Sequence, residues 1–175
     1  MDIKEVITTI NQMQADGVID RYAIGGAVGA TFYLEPAATL DVDIFVALHA
    51  KRGRLIVSPK PILDYLTARG GKMEGDAIVI AGWPVQFLPP TGPLVEEALA
   101  QAIEIDVAGT PARVFTAEHL AAIALQTGRA KDKARLLQFV EVGVLDAKRF
   151  QAIVSRHSLG ETWQKFERQF LSDAR

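Results

Sequence analysis

Two aspartates one residue apart, Asp41 and Asp43, interrupt an otherwise apolar run, Asp-Val-Asp-Ile-Phe-Val. In a strand, residues i and i+2 face one side, so the carboxylates project together while Val42, Ile44 and Val46 point into a core. Paired carboxylates repel each other and are costly to bury without a countercharge. A divalent cation removes that cost. All-oxygen donors favour Mg²⁺ (or Mn²⁺), which keeps several waters and takes one or two carboxylates together with substrate phosphates. Upstream, the apolar stretch Tyr22 to Ile24 ends at Gly25-Gly26. Glycines let a phosphate approach the backbone, and the N–H groups opening the next helix favour an anion. A cation site and a phosphate cradle joined by one short helix imply a nucleoside triphosphate (NTP) as ligand. The plainer alternative is a βαβ-type core whose glycine pair opens a helix and whose acids are solvated at a strand end.

The elements that must position these residues follow from hydrophobic spacing and punctuation. Ile3, Val6, Ile7, Ile10 and Met13 predict an amphipathic helix over residues 3 to about 15, stopped at Gly17. Tyr22 to Ile24 reads as a strand, Ala27 to Tyr33 as a short buried helix closed by Pro36, and Asp41 to Val46 as a second strand. Lys51, Arg52 and Arg54 fall in a glycine-containing loop, read as solvated, and Leu55 to Val57 suggests an edge segment. A helix over Ile62 to Arg69 follows Pro59 and Pro61. Lys72 to Ala81 and Val85 to Leu88 read as one antiparallel hairpin turned by Gly82-Trp83-Pro84. A helix over residues 91 to 102 precedes a second hairpin around Gly109-Thr110. From residue 115 the pattern is all helix: Thr116 caps one, residues 131 to 142 form another, Asp146 caps a third, and the last follows Gly160. Trp163, Phe166 and Phe170 make a stripe suited to core packing or a dimer seam. His49, His119 and His157 show no ligand spacing and read as structural or exposed.

Composition bounds the functions. The chain has 175 residues, 49% hydrophobic and 23% charged, which describes a globular domain rather than a disordered one. A net charge of −2 provides no global basic field for nucleic acid. The absence of cysteine excludes disulfides, thiol catalysis and cysteine metal sites. No signal-peptide layout or membrane-length apolar run is present, so a cytoplasmic location without membrane association is the expectation.

Gly-Gly followed by Asp-x-Asp on the next strand, with Thr39 before the acids and Phe45-Val46 after them, resembles the nucleotidyltransferase superfamily of polymerase-β-like fold. The longer string is similar to its bacterial branch, which includes AbiEii-type toxins of toxin–antitoxin pairs. Gly128-Arg129-Ala130-Lys131-Asp132 is similar to that branch's C-terminal motif, an Arg-x-Lys-Asp opening a helix over the nucleotide cleft. Haloacid-dehalogenase phosphatases and sugar-nucleotide glycosyltransferases, which also carry Asp-x-Asp, fit less well.

The resemblance implies an α/β (α+β) fold: a nucleotidyltransferase-like mixed sheet flanked by helices over residues 1–115, and a helical C-terminal region over 116–175 packed on it. It implies transfer of a nucleoside monophosphate from an NTP to a hydroxyl of RNA, protein or a small molecule, with an antitoxin protein as partner. Asp41 and Asp43 would be catalytic metal ligands, and Gly25, Gly26, Thr39, Arg129, Lys131 and Asp132 would bind nucleotide or phosphate. Several positions depart from the pattern. Gln86 stands where a third carboxylate is usual, and glutamine cannot accept a proton. The stretch with Ala37 lacks a common basic residue, Ala124 replaces a common lysine, and Arg135 stands where a second acid is expected. Glu74 or Asp76 is a candidate substitute base. The departures support a second reading, a catalytically degenerate protein that binds nucleotide or a partner.

Overall fold

The computed structural model describes residues 2–35, 41–48 and 58–171. Thr39, Ala37, His49, the basic loop at 51–54 and the suggested edge segment at 55–57 lie outside the described residues. Capped by the Asp2 carboxylate, α1 (Ile3–Ala15) buries Val6, Ile7, Ile10 and Met13. Then come β1 (Arg21–Ile24), α2 (Gly26–Ala30), β2 (Val42–Ala47), α3 (Lys60–Thr67), β3 (Lys72–Glu74), β4 (Ala77–Ile80) and β5 (Trp83–Leu88). The chain continues through α4 (Pro93–Ala100), β6 (Ile103–Val107), β7 (Thr110–Val114), α5 (Ala117–Thr127), α6 (Ala130–Val142), α7 (Ala147–Arg156) and α8 (Gly160–Phe170).

The strands form one mixed seven-stranded sheet in the order β3-β4-β5-β2-β1-β7-β6. β1 runs antiparallel to β2, so the glycine pair and α2 turn the chain back onto a neighbouring strand rather than crossing over as in a βαβ unit. β2 pairs in parallel with β5, and β1 with β7. Strand alternation sorts side chains to two cores. Tyr22, Ile24, Val42, Ile44, Val46 and Val85 pack with α1 and α3 on one face. Ala23, Phe45 and Phe115 join α4, α5 and the helices beyond on the other.

The first hairpin differs from expectation. The segment 72–81 is two strands, β3 and β4, turned at Gly75 with φ +59°, so β3, β4 and β5 form a meander. The next turn is Ala81-Gly82, with φ 50° and 82°, and Trp83 and Pro84 belong to β5. Ala108-Gly109 makes the equivalent turn between β6 and β7, with φ 51° and 81°. Positive φ at both central residues matches the right-handed twist of the flanking strands, and the weak Ala-Gly signal hides it in the sequence.

The C-terminal helices are tied back through polar contacts as well as apolar ones. Phe150 meets Trp163 edge-on at 5.0 Å and Trp163 stacks on Phe166 at 5.6 Å, so Trp163 and Phe166 are core packing, while Phe170 at the end of the stripe is exposed. Glu118 is buried and accepts a bond from the Asp146 N–H at 3.0 Å. On α4, Glu97 accepts two bonds from Arg156, at 2.6 and 3.1 Å, and contacts His157 Nε2 at 2.8 Å and His119 Nε2 at 3.2 Å. His119 Nδ1 lies 2.8 Å from Thr116 Oγ1, so both described histidines are structural. Among the described residues no helix is long and apolar enough to cross a membrane.

The Arg156 bonds, helped by both histidines, hold the Glu97 carboxyl down to about 2, and burial pushes His119 below its ordinary value. Both groups bind fewer protons folded than unfolded, so both stabilise the fold less as pH falls. The urea midpoint should drop as pH falls below 6.5, through His119, and again between 4.5 and about 2, through Glu97. Equilibrium unfolding from pH 7 to pH 2 reads both stages, and Glu97→Gln should remove the second.

Candidate active site

Asp43 sits half-buried on β2, the middle strand of the sheet, on the same face as Phe45, while Val42 and Ile44 point into the opposite core. Asp41 precedes the strand by one residue. Across the parallel ladder Asp43 is in register with Gln86 on β5. The position expected to carry a third carboxylate is therefore beside Asp43, where it presents an amide.

Gly25 and Gly26 are fitted to β2. The Gly25 N–H donates to the Asp43 carbonyl at 3.0 Å, and a Cβ on Gly25 would fall 2.5 Å from Phe45 Cε2. Gly26 has φ +57°, and a Cβ there would land on the Asp43 carboxylate, 2.8 Å from Cγ. The missing side chain at Gly26 thus makes room for an acid. Gly29 continues the fit, since a Cβ there would lie 3.0 Å from the Ile24 carbonyl.

The cations that act on Asp43 come from α6 and the residue before it. Gly128, with φ +67°, ends α5 and turns the chain so that Arg129 caps α6. Asp132, 2% exposed, lies in the first turn of α6 and accepts from Arg129 Nε at 2.6 Å and Nη2 at 3.3 Å. Arg135 Nη1 approaches the same carboxylate at 3.7 Å. Burial, and then the charge of Asp41, push the Asp43 carboxyl above its ordinary value; Lys131, Arg135 and Arg129 pull it back. That opposition brings the two acids and three cations into one electrostatic neighbourhood. The structure thus draws together Gly25, Gly26, Asp41, Asp43, Gln86, Arg129, Lys131 and Asp132.

Other candidates fall outside this neighbourhood. Glu74 pairs with Ala77 on the exposed edge strand β3, three strands from β2, or about 14 Å at sheet spacing. Asp76 lies in the turn beside it, so neither reaches Asp43 as a base. Ala124 is buried in the helical core, where a lysine would have no solvent. Arg135 joins the site although the sequence pattern led to an acid there; its i+4 spacing from Lys131 was the available signal.

The donors fit one Mg²⁺ or Mn²⁺. Two carboxylates one residue apart, with an amide in register with one of them, offer oxygen donors of the kind a hard cation takes. Among the described residues there is no group of three or more His, Cys, Asp and Glu that could hold a metal.

No protein-family model and no curated protein matches the sequence. Solved structures do. An antigenic nucleotidyltransferase-like protein from Paracoccidioides brasiliensis aligns with TM-score 0.57 and 15% identity, covering 92% of this chain and 91% of its own. ANT(2")-Ia in complex with adenylyl-2"-tobramycin aligns with TM-score 0.53 and 15% identity, covering 87% and 95%. The antibiotic-resistance factor ANT(2")-Ia in solution gives TM-score 0.53 and 14% identity, covering 97% and 98%. The fold is nucleotidyltransferase-like.

Gly26→Ala should destabilise the protein by about 2–4 kcal/mol, from left-handed backbone plus collision with Asp43. Gly75→Ala has φ +59° but meets nothing within 4 Å, so it should cost only the backbone part, about 1–2 kcal/mol. Urea denaturation of the two variants checks the difference.

Proposed function

We propose that this chain is a Mg²⁺-dependent nucleotidyltransferase. The observation that carries the reading is Asp43, packed on Gly26, level with Gln86, and faced by Arg129, Lys131 and Arg135. The two regions divide the work: the α/β part, residues 1–115, supplies the acids, and the helical part, residues 116–175, supplies the cations. Asp41 and Asp43 hold Mg²⁺ or Mn²⁺, which when bound offsets phosphate charge and makes the α-phosphorus more open to attack.

Gly25 and Gly26 line the phosphate path, with Thr39 preceding the acids. An acceptor hydroxyl oxygen forms a bond to the α-phosphorus while the bond from that phosphorus to the β-phosphate bridging oxygen breaks, and pyrophosphate leaves against Arg129 and Lys131. Asp132 positions Arg129 through its paired bonds. Gln86 cannot take the acceptor's proton, so the proton passes to water. Positioning and charge stabilisation supply most of the acceleration in such transfers.

The acceptor class is a hydroxyl on a small molecule, RNA or protein; ANT(2")-Ia with adenylyl-2"-tobramycin is a neighbour holding an adenylylated small molecule. The likeness to AbiEii-type toxins adds an antitoxin as partner and a cytoplasmic setting, where NTPs are available. A co-transcribed small protein that blocks transfer would mark that role.

A second reading has its own observations: Gln86 in place of an acid and Arg135 beside Asp43 suit a protein that binds nucleotide or a partner without turnover. Thermal shift with ATP, GTP, CTP and UTP, with and without Mg²⁺, separates the outcomes. Ligand bound only by the folded state raises the melting temperature. One nucleotide should do so only with Mg²⁺, and Asp43→Asn should lose the shift. Pyrophosphate release that depends on Asp41 establishes turnover; binding without it leaves the second reading; no shift with any nucleotide removes both as nucleotide functions.

A further inference from the structure

Arg135 has a defined place but no assigned role. Asp132, at 2% exposure, cannot be left uncompensated, and it is shared by two guanidinium groups. Arg129 takes it in a close paired contact and keeps its own side chain 61% exposed. Arg135 stands 3.7 Å away with its side chain only 21% exposed, beside Asp132. Lys131 and Arg135 are one helical turn apart and so share a face of α6. With Arg129 they act on the charge of Asp43, and the two arginines also pair with Asp132.

On β5, in register with Asp43, Gln86 contributes no charge. Two carboxylates and an amide satisfy one hexacoordinate ion that shares phosphate oxygens and water. A second ion would need further acids, and these cations would repel it. A triphosphate tail nonetheless carries more charge than one divalent ion cancels, and a guanidinium fork matches phosphate geometry.

We propose that Arg135 is a fixed cation for the polyphosphate tail, and that the site takes a single divalent ion per bound nucleotide. This rests on the nucleotide reading above.

The test uses the full chain, Mn²⁺ and an ATP analogue with a methylene bridge between the α- and β-phosphates, which binds without transfer. Electron paramagnetic resonance titration should count one Mn²⁺ per bound analogue on the wild type. Arg135→Gln should weaken the analogue by about tenfold or more while AMP binding holds, because only the tail loses its partner. Arg135→Lys, which keeps the charge without the fork, should fall between. Two Mn²⁺ per nucleotide on the wild type overturns the proposal. So does an unchanged analogue affinity in Arg135→Gln, or an equal loss for analogue and AMP. A wild type that binds no analogue at any Mn²⁺ level defeats the nucleotide reading itself, and this proposal with it.

Discussion

A carboxylate half-buried on the middle strand of a sheet needs a countercharge, and the surroundings of Asp43 are arranged around that need. Strand alternation forces the choice. Val42 and Ile44 must face the α1 and α3 core, so Asp43 must face the other side, beside Phe45 and level with Gln86. Gly26 then has to lack a side chain, because the carboxylate fills that space. Burial and the neighbouring Asp41 raise the cost of a bare carboxylate, and α6 offsets part of it with three cations.

Those cations carry a cost of their own. Positive side chains near a helix N-terminus oppose the helix dipole. Asp132, in the first turn and buried, relieves this by holding Arg129 directly and Arg135 at longer range. The acids on β2 and the cations on α6 are thus partial answers to each other's electrostatics. A ligand carrying both a divalent cation and phosphates would answer both sets of charges at once, which is the basis of the proposed metal–nucleotide site. The placement of α6 depends in turn on the helical packing, including the Glu97 cluster that joins α4 to His119, Arg156 and His157.

Much of this was legible in the chain itself. The period-two acids, the glycine pair before them and the Arg-x-Lys-Asp helix start were local signals, and local signals survive without tertiary knowledge. What escaped depended on pairing between distant segments. Arg135 read as a departure because its meaning lies in facing Asp43 from another element. His119 and His157 looked scattered because Glu97, which both contact, comes from α4. The meander β3–β4–β5 was read as a single hairpin since Pro84 suggested a turn, whereas Ala81 and Gly82 adopt the positive φ that makes one. Glu74 looked available as a base until sheet order placed it at the far edge.

The central claim is that the β2 acids and the α6 cations form the two walls of one metal–nucleotide site. Its most direct test is a crystal structure of the protein grown with Mn²⁺ and a non-transferable ATP analogue, with anomalous scattering to locate the metal. The account predicts a manganese peak between Asp41 and Asp43, with the phosphates against Arg129, Lys131 and Arg135. A nucleotide bound elsewhere, or manganese held away from these two aspartates, would contradict it.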